Sequence, residues 1–288
     1  MDDFDNFETE TVSRRYWAQR HGEGAHRVDL RTACSLFRSV IEAFVAEDLL
    51  QEWAGYDCVD DGFVAGRAGH DPEAFAFRKT RVHGLWPPDH TWEKWSESHL
   101  LTAIEFFHDV VAKPTAGRFH DYMGCGYHAS AFDRRPGQTR YRSEVNQFLE
   151  DYADGYEVDV AGAVVRAVPT GFEELVDEQL PASAGAEHRT PLDHAIATFR
   201  ARRSSREDQL DALRHLAAIL ESLRPRLRAV LTRKDEADLF EVLNRFNIRH
   251  ADSSQQSDYD PSIFLPWVFY SHLAAIHASY RLLERQDA

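Results

Sequence analysis

Two residues near the C-terminal end of the sequence have types and a spacing that could perform chemistry. Arg245 is followed, after four intervening residues, by His250, at the predicted end of one helix and shortly before another. A histidine with a pKa near neutrality can exchange a proton with a ribose 2′-hydroxyl or with a leaving oxygen, and an arginine stabilises the charge that builds on phosphorus. The pair is therefore typical of RNA cleavage by transesterification without a metal. An arginine and a histidine at this spacing also occur by chance, so a helix-capping histidine and a salt-bridged arginine stay open as the alternative.

Polar neighbours support this interpretation and constrain the helix that carries it. Arg249 follows Arg245 by four residues, so the two side chains share one helical face. His250 would lie about 140° around a continuous helix from Arg245, since each residue turns the chain by about 100°. The helix must therefore end or distort near Arg249 for the pair to meet at one phosphate. Asn244, Asn247 and Arg249 are the predicted supporting residues.

Charge is unevenly distributed along the sequence. The 288 residues contain 33 Lys and Arg against 48 Asp and Glu, a formal net charge of −15, which by itself argues against a nucleic-acid partner. Residues 189–288, however, hold 15 basic and 14 acidic residues, so the whole acidic excess belongs to residues 1–188. Arginine suits planar, bidentate phosphate contact, and Arg200, Arg202 and Arg203 form the predicted RNA-binding cluster, with solvated helix faces as the alternative. The acidic part could restrain access of RNA to this basic face.

A metal centre is the most specific alternative to the Arg/His pair. Cys125 and His128 have the Cys-x-x-His spacing of zinc ligands, and His120 with Asp121 could complete a set of four. Structural zinc sites usually bring a second Cys/His pair from elsewhere, and none is evident, so the main expectation is that the protein uses no metal and no cofactor. A second alternative is a hard-cation site, or simply a set of turn residues, at Asp57, Cys58, Asp60 and Asp61.

These residues must be positioned by a mainly helical fold in two parts. We expect an acidic tail at 1–13, an N-terminal, mostly helical α+β region at 14–186, and a C-terminal helical bundle at 187–288. Apolar spacing predicts a helix from about 30 to 53 that starts after Asp29. A small β-hairpin that turns at Gly162 is the only predicted strand pair. Pro225 should break the long helical pattern of the second part.

Several segments resemble a known family. The segments that carry this resemblance are FFHDVVAKPTAGRFHDYMGCGYH, FDRRPGQTRYRSEVNQFLEDYADGYEV and LFEVLNRFNIRH. Through them the sequence resembles bacterial abortive-infection proteins of the AbiJ type, in which a sensor or regulatory region precedes a HEPN-like domain. HEPN ribonucleases carry Arg, four to six residues, then His, which Arg245 and His250 match. Family members usually have Asn or another polar residue directly after the arginine, where this sequence has Phe246, so the exact register of the pair differs from the family pattern.

The resemblance implies a function and partners. It implies a metal-independent endoribonuclease of antiphage defence, with RNA as substrate, a homodimer formed through the C-terminal helices, and a phage-derived or host protein as trigger. The alternative is a non-catalytic HEPN-like module that binds RNA or a protein. The sequence has no run of about 18 apolar residues, and its first residues, MDDFDNFETET, lack the basic and apolar regions of a signal peptide. We therefore expect a cytoplasmic protein with no membrane contact and with reduced thiols at its three cysteines.

Overall fold

Helices make up most of the chain, as the sequence predicts. The computed structural model describes residues 27–169, 171–245 and 260–287, together with Trp17. These residues divide into two units, one up to Ala167 and one from Val168 onward. The elements of the first unit are α1 (Leu30–Ala46), α2 (Gln51–Ala54), β1 (Tyr56–Cys58), β2 (Gly62–Val64), α3 (Pro72–Thr80), a 3-10 turn (His90–Lys94), α4 (Glu97–Val110), β3 (Lys113–His120), a 3-10 turn (Tyr122–Gly124), β4 (Gly126–Asp133), α5 (Arg134–Leu149), β5 (Tyr156–Val158) and β6 (Val164–Arg166).

Helix α1 forms where the apolar spacing predicts it. The Asp29 side chain caps its N-terminus by accepting a hydrogen bond of 2.7 Å from the backbone N–H of Thr32. Its buried face includes Cys34, Phe37, Ile41 and Phe44. The helix ends at Ala46 and does not run on to residue 53, because Asp48 takes a left-handed φ of 63° before α2 begins.

An aromatic core holds the first unit together. The Trp53 ring, at the end of α2, packs edge-on against Trp86, Phe106 and Phe107, with ring centroids 5.1–5.9 Å apart. The hydroxyl of Tyr141 on α5 is buried and donates a hydrogen bond of 2.8 Å to the Ile104 carbonyl on α4. These contacts fix α2, α4 and α5, from which the hairpins project.

The first unit contains three antiparallel hairpins among the described residues. The predicted hairpin is confirmed: β5 pairs with β6, and Gly162 between them has a φ of 90°. The pairs β1–β2 and β3–β4 were not predicted, so the prediction of a single strand pair is wrong. Most side chains on β2 and β3 are exposed, so these strands lack the alternation of apolar and polar residues that marks a half-buried strand.

The described part of the second unit is helical. Its elements are α6 (Glu173–Asp177), α7 (Ala186–Arg200), α8 (Arg206–Leu227), α9 (Arg233–Arg245) and α10 (Pro261–Asp287). Helices α7, α8 and α10 share one core, in which the Phe199 and Phe269 rings stack with centroids 4.0 Å apart. The sequence predicts that Pro225 breaks the helical pattern, but α8 continues through it to Leu227. The helix tolerates this proline because Pro225 lies in the last turn, where few backbone hydrogen bonds follow.

The division between the units falls earlier than the predicted boundary at 186/187. Val176, Leu180 and Ala184 precede that boundary, and they are buried in the same core as α7, α8 and α10. Residues 182–189 are small and polar, as is typical of a linker, but they include the start of α7. Among the described residues, no helix is both long enough and apolar enough to cross a membrane.

Candidate metal centre

Four metal-ligating side chains meet at the tips of two hairpins in the first unit. Cys58, His120, Cys125 and His128 each direct one sulfur or ring nitrogen toward a common point, and these four atoms lie within 4.8 Å of one another. Cys58 and His128 are buried, and His120 and Cys125 are half-buried. Two thiols and two imidazoles at this distance form the donor set of a Cys2His2 zinc site.

The β1–β2 hairpin places the first of these thiols. Cys58 is the last residue of β1 and pairs with Gly62, so the connection between the strands is three residues long. Gly62 has a φ of 68°, the left-handed conformation that such a connection requires of its closing residue. The turn therefore directs the Cys58 side chain toward the tip of the neighbouring hairpin.

The β3–β4 hairpin places the other three ligands. His120 pairs with Gly126, and Arg118 pairs with His128, so His120 and His128 are diagonal neighbours on one face of the hairpin. The connecting turn brings Cys125 to the same side, three residues before His128. The side-chain alternation of the strands thus produces the shared orientation of the two histidines.

The interatomic distances fit a tetrahedral metal ion. Zn–S and Zn–N bonds of about 2.3 Å and about 2.0–2.1 Å put sulfur and nitrogen ligands about 3.6 Å apart. Cys58 Sγ lies 3.7 Å from His120 Nδ1, and Cys125 Sγ lies 3.1 Å from His128 Nε2. A zinc ion can therefore be accommodated with small adjustments of the side chains.

Carboxylates from the β1–β2 turn surround the ligands. The Asp60 carboxylate lies 3.2 Å from His120 Nε2, the ring nitrogen that does not face Cys58. This is the arrangement in which a carboxylate accepts the second N–H of a metal-bound histidine, fixing its tautomer and increasing its basicity. The Asp61 carboxylate lies 3.7 Å from Cys58 Sγ. Asp60 and Asp61, which the sequence suggested as hard-cation ligands, thus contact the side chains of His120 and Cys58 from outside the cluster.

Helix α2 and β1 hold His128 in place. The Gln51 side-chain amide donates to the Tyr127 carbonyl at 2.8 Å and accepts from the Ala129 N–H at 2.7 Å, so it binds the backbone on both sides of His128. The Tyr56 ring packs on the His128 ring with centroids 4.4 Å apart. Gln51 is buried, and it connects the candidate centre to the aromatic core.

Without a cation, the site disfavours ionisation of the Cys125 thiol. Burial raises the pKa of Cys125, and the neighbouring Cys58 thiol raises it further, while a hydrogen bond from the Val59 backbone acts in the opposite direction. A divalent cation reverses this preference, because it binds the thiolate and displaces the proton. Cys34, by contrast, is a thiol of the hydrophobic core, and burial raises its pKa to about 11.

Three of these four side chains belong to the zinc alternative that the sequence suggests beside its main expectation of no metal, and the fourth ligand differs. His120, Cys125 and His128 were grouped with Asp121, whereas the structure supplies the thiol of Cys58. Cys58 was itself singled out, but within a separate group of aspartates. Cys58 lies near the start of a segment rich in Asp and Gly, and nothing in that segment indicates that it meets the residues around 120.

Comparisons with known proteins add no relative. No protein-family model, no curated protein and no solved structure matches this chain. The chemistry of the site therefore rests on the side chains described above and on their geometry.

The residues predicted to cleave RNA are described only in part. Arg245 is the last residue of α9 that the structure describes, and Asn244 precedes it in the same helix. The side chains of both residues lie outside the described part of the structure, as do Asn247, Arg249 and His250 entirely. The distance between the Arg245 and His250 side chains is thus not defined, and the pair remains a prediction.

The predicted RNA-binding arginines differ in exposure. Arg200 ends α7 and is buried, with 8% of its surface exposed, and Arg202 is half-buried. Both make contacts within the protein. Arg203 is exposed and is the member of this cluster with the most surface available to a phosphate. His272 and His277 on α10 are buried.

Proposed function

We propose that this protein binds one zinc ion through Cys58, His120, Cys125 and His128, and that the ion stabilises the first unit. The observation that carries the proposal is the convergence of four sulfur and nitrogen ligand atoms within 4.8 Å, from two hairpins far apart in the sequence. Soft thiolates with imidazoles select zinc over magnesium or calcium, which prefer oxygen ligands.

A structural role follows from the number of ligands. Catalytic zinc ions usually have three protein ligands and a water or substrate in the fourth position, whereas structural sites fill all four positions with side chains. Four ligands fill the tetrahedron here, so the ion would link the β1–β2 and β3–β4 tips and would not activate water. The ligand charges also favour this role, since two thiolates neutralise one Zn²⁺.

Metal analysis of the purified full-length protein tests the proposal. We expect one zinc per chain by plasma mass spectrometry after dialysis against metal-free buffer. The Cys58→Ser and Cys125→Ser variants should each lose most of the metal, because an alcohol oxygen replaces the thiolate. Cys34→Ala is the matched control, since it removes a thiol from the core away from the ligands and should keep one zinc per chain. Equal zinc content in all four proteins would contradict the assignment.

A second candidate function belongs to the second unit. We propose that this unit is a HEPN-like bundle that cleaves RNA through Arg245 and His250, as in an antiphage defence protein of the AbiJ type. The observation that favours it is that the described part of the unit is helical. A non-catalytic unit that binds RNA or a protein is the alternative.

RNA cleavage without added metal separates these alternatives. The wild type should cleave single-stranded RNA to 2′,3′-cyclic phosphate ends, and His250→Ala should lose that activity while keeping its zinc. RNA binding without cleavage in both proteins would favour the non-catalytic alternative. A homodimer through the C-terminal helices, a cytoplasmic location and a phage-derived or host protein trigger belong to the same proposal.

A further inference from the structure

The turn between β3 and β4 exposes three large apolar side chains beside the candidate metal centre. Phe119, Tyr122 and Met123, here called the hairpin tip, are exposed to 68%, 62% and 79%. Single exposed apolar residues are ordinary on protein surfaces. Aromatic residues and methionine are enriched at binding surfaces, and here three such residues are exposed within five consecutive positions.

The backbone presents these side chains in a fixed arrangement. Phe119 lies on the face of the hairpin opposite its neighbour His120. The Tyr122 ring stacks on the His120 ring with centroids 6.4 Å apart. Met123 has a left-handed φ of 52°, an unfavourable conformation for a residue with a side chain, so the surrounding turn must hold it. Ligands immediately before and after this turn, His120 and Cys125, would hold it through the metal.

Exposed carboxylates lie on the two hairpins near the hairpin tip, and they favour a partner of positive charge. Asp57, Asp60, Asp61 and Asp121 are exposed around the same turns, against one exposed arginine, Arg118. Asp60 contacts His120, which in turn stacks on Tyr122, so the acidic turn of β1–β2 lies next to the tip. A zinc ion with two thiolates adds no net charge, so the region stays negative. Nucleic acids and anionic lipid surfaces are repelled by such a surface.

We propose that the hairpin tip is a docking site for an arginine-bearing segment of a protein partner. A guanidinium group stacks on aromatic rings and also forms paired hydrogen bonds with carboxylates, which are the two features that this region combines. The proposal rests on the zinc centre, since the metal would fix the turn that presents Phe119, Tyr122 and Met123. Lysine forms weaker contacts of both kinds and should bind less tightly.

Peptide binding to the full-length, zinc-loaded protein tests this proposal. The probes are fluorescein-labelled peptides of four Arg-Gly-Gly, Lys-Gly-Gly or Glu-Gly-Gly repeats, followed by fluorescence anisotropy, together with a labelled uridine oligonucleotide of matched length. The arginine peptide should bind most tightly, the lysine peptide more weakly, and the acidic peptide and the RNA should not bind at this site. Chelation of zinc should weaken binding of the arginine peptide.

Variants assign the binding to the hairpin tip. Phe119→Ser combined with Met123→Ser changes neither a ligand nor Tyr122, and it should raise the Kd for the arginine peptide about tenfold or more while zinc content stays at one per chain. Leu36→Ser, an exposed residue of α1, is the control and should bind as the wild type does. Equal binding by the double variant, no binding of the arginine peptide by zinc-loaded wild type, or RNA binding that the double variant abolishes would overturn the inference. A wild type without zinc would overturn the metal proposal instead.

Discussion

The ligands of the candidate metal centre differ in how far the sequence reveals them. Cys125 and His128 are three residues apart, a spacing that is compatible with zinc ligands. His120 lies five residues before Cys125, close enough to join them through one turn. Cys58 is 62 residues from His120, and only the folded arrangement of two hairpins brings them within 3.7 Å. A sequence pattern can detect a local pair of ligands, but the partner from another element depends on the tertiary structure.

The Asp60 carboxylate provides a test of the site at the residue scale. We predict that Asp60→Asn weakens zinc binding by about 10- to 100-fold. The reason is that a neutral amide oxygen then replaces the charged carboxylate that accepts a hydrogen bond from the His120 N–H. Competition with a chromophoric chelator on the full-length protein measures this change in zinc affinity.

Asp121→Asn is the matched control for Asp60→Asn. Asp121 is the ligand that the sequence suggested, and it does not belong to the cluster of four. Its substitution should leave the zinc affinity within about twofold of the wild-type value. A larger loss in Asp121→Asn than in Asp60→Asn would show that the ligand set is assigned incorrectly.

The elements that build the site were harder to predict than the helices around it. Helix α1 has apolar residues at helical spacing and an aspartate cap, so its start and its buried face follow from the sequence. Strands β1 and β2 are three residues long, and β3 contains a proline and a glycine and is mostly exposed. Neither hairpin therefore carries a period-two apolar pattern. The pairing depends on turns and on packing against α2 and α5.

Gly117 on β3 connects strand pairing to ligand position. A Cβ at this residue would lie 2.4 Å from the His128 carbonyl oxygen and 2.8 Å from the Ala129 Cα. Gly117→Ala should therefore force β3 and β4 apart, lower the free energy of unfolding by about 1–3 kcal/mol, and reduce zinc affinity. Urea unfolding and chelator competition measure the two effects.

Ala116→Ser is the control for the glycine substitution, because its position on β3 is adjacent and exposed. It should change neither the free energy of unfolding nor the zinc affinity appreciably. If Gly117→Ala also left both quantities unchanged, the β3–β4 register described here would be incorrect.

Helix α10 carries a buried histidine that should make the protein sensitive to acid. Burial lowers the pKa of His272 below its ordinary value of 6.5, and the hydrogen bond to the Val268 carbonyl at 2.6 Å opposes this shift. Below pH 6.5 the unfolded chain takes up a proton at this residue before the folded chain does. The free energy of unfolding therefore falls with decreasing pH until the folded histidine is protonated too.

The substitution His272→Leu should reduce this pH dependence. Urea unfolding at about pH 7.5 and about pH 5.5 should show a smaller loss of stability in the variant than in the wild type. The slope should not vanish, because burial also lowers the pKa of His277. His194→Gln, on the exposed side of α7, serves as the control and should keep the wild-type slope. A slope in His272→Leu equal to that of the wild type would contradict the assignment to this residue.

At the scale of the whole molecule, the position where the net charge of the sequence changes lies near the division between the two structural units. The acidic excess of residues 1–188 covers the first unit and extends into the segment that packs with the second core. The sequence predicted two parts, and the core residues Val176, Leu180 and Ala184 show why the predicted boundary is too late. A polar segment indicates a linker only when the residues before it belong to the preceding core, and here they pack against the helices that follow.

The two separate cores predict a local response to metal removal. Chelation of zinc in the full-length protein should increase amide hydrogen exchange in β1–β2 and β3–β4, because the ion links their tips, and should leave exchange in α7, α8 and α10 unchanged. Hydrogen exchange followed by mass spectrometry measures both regions in one experiment. Increased exchange throughout α8 would contradict the confinement of the metal's effect to the first unit.

The central claim is that two sulfur and two nitrogen atoms of this chain bind one zinc ion. X-ray absorption at the zinc edge of the purified full-length protein tests it most directly. We predict two sulfur neighbours at about 2.3 Å and two nitrogen neighbours at about 2.0–2.1 Å. In the zinc that Cys58→Ser retains, one of the two sulfur neighbours should be missing. A zinc ion bound only by nitrogen and oxygen, or a wild-type spectrum that Cys58→Ser leaves unchanged, would contradict the account.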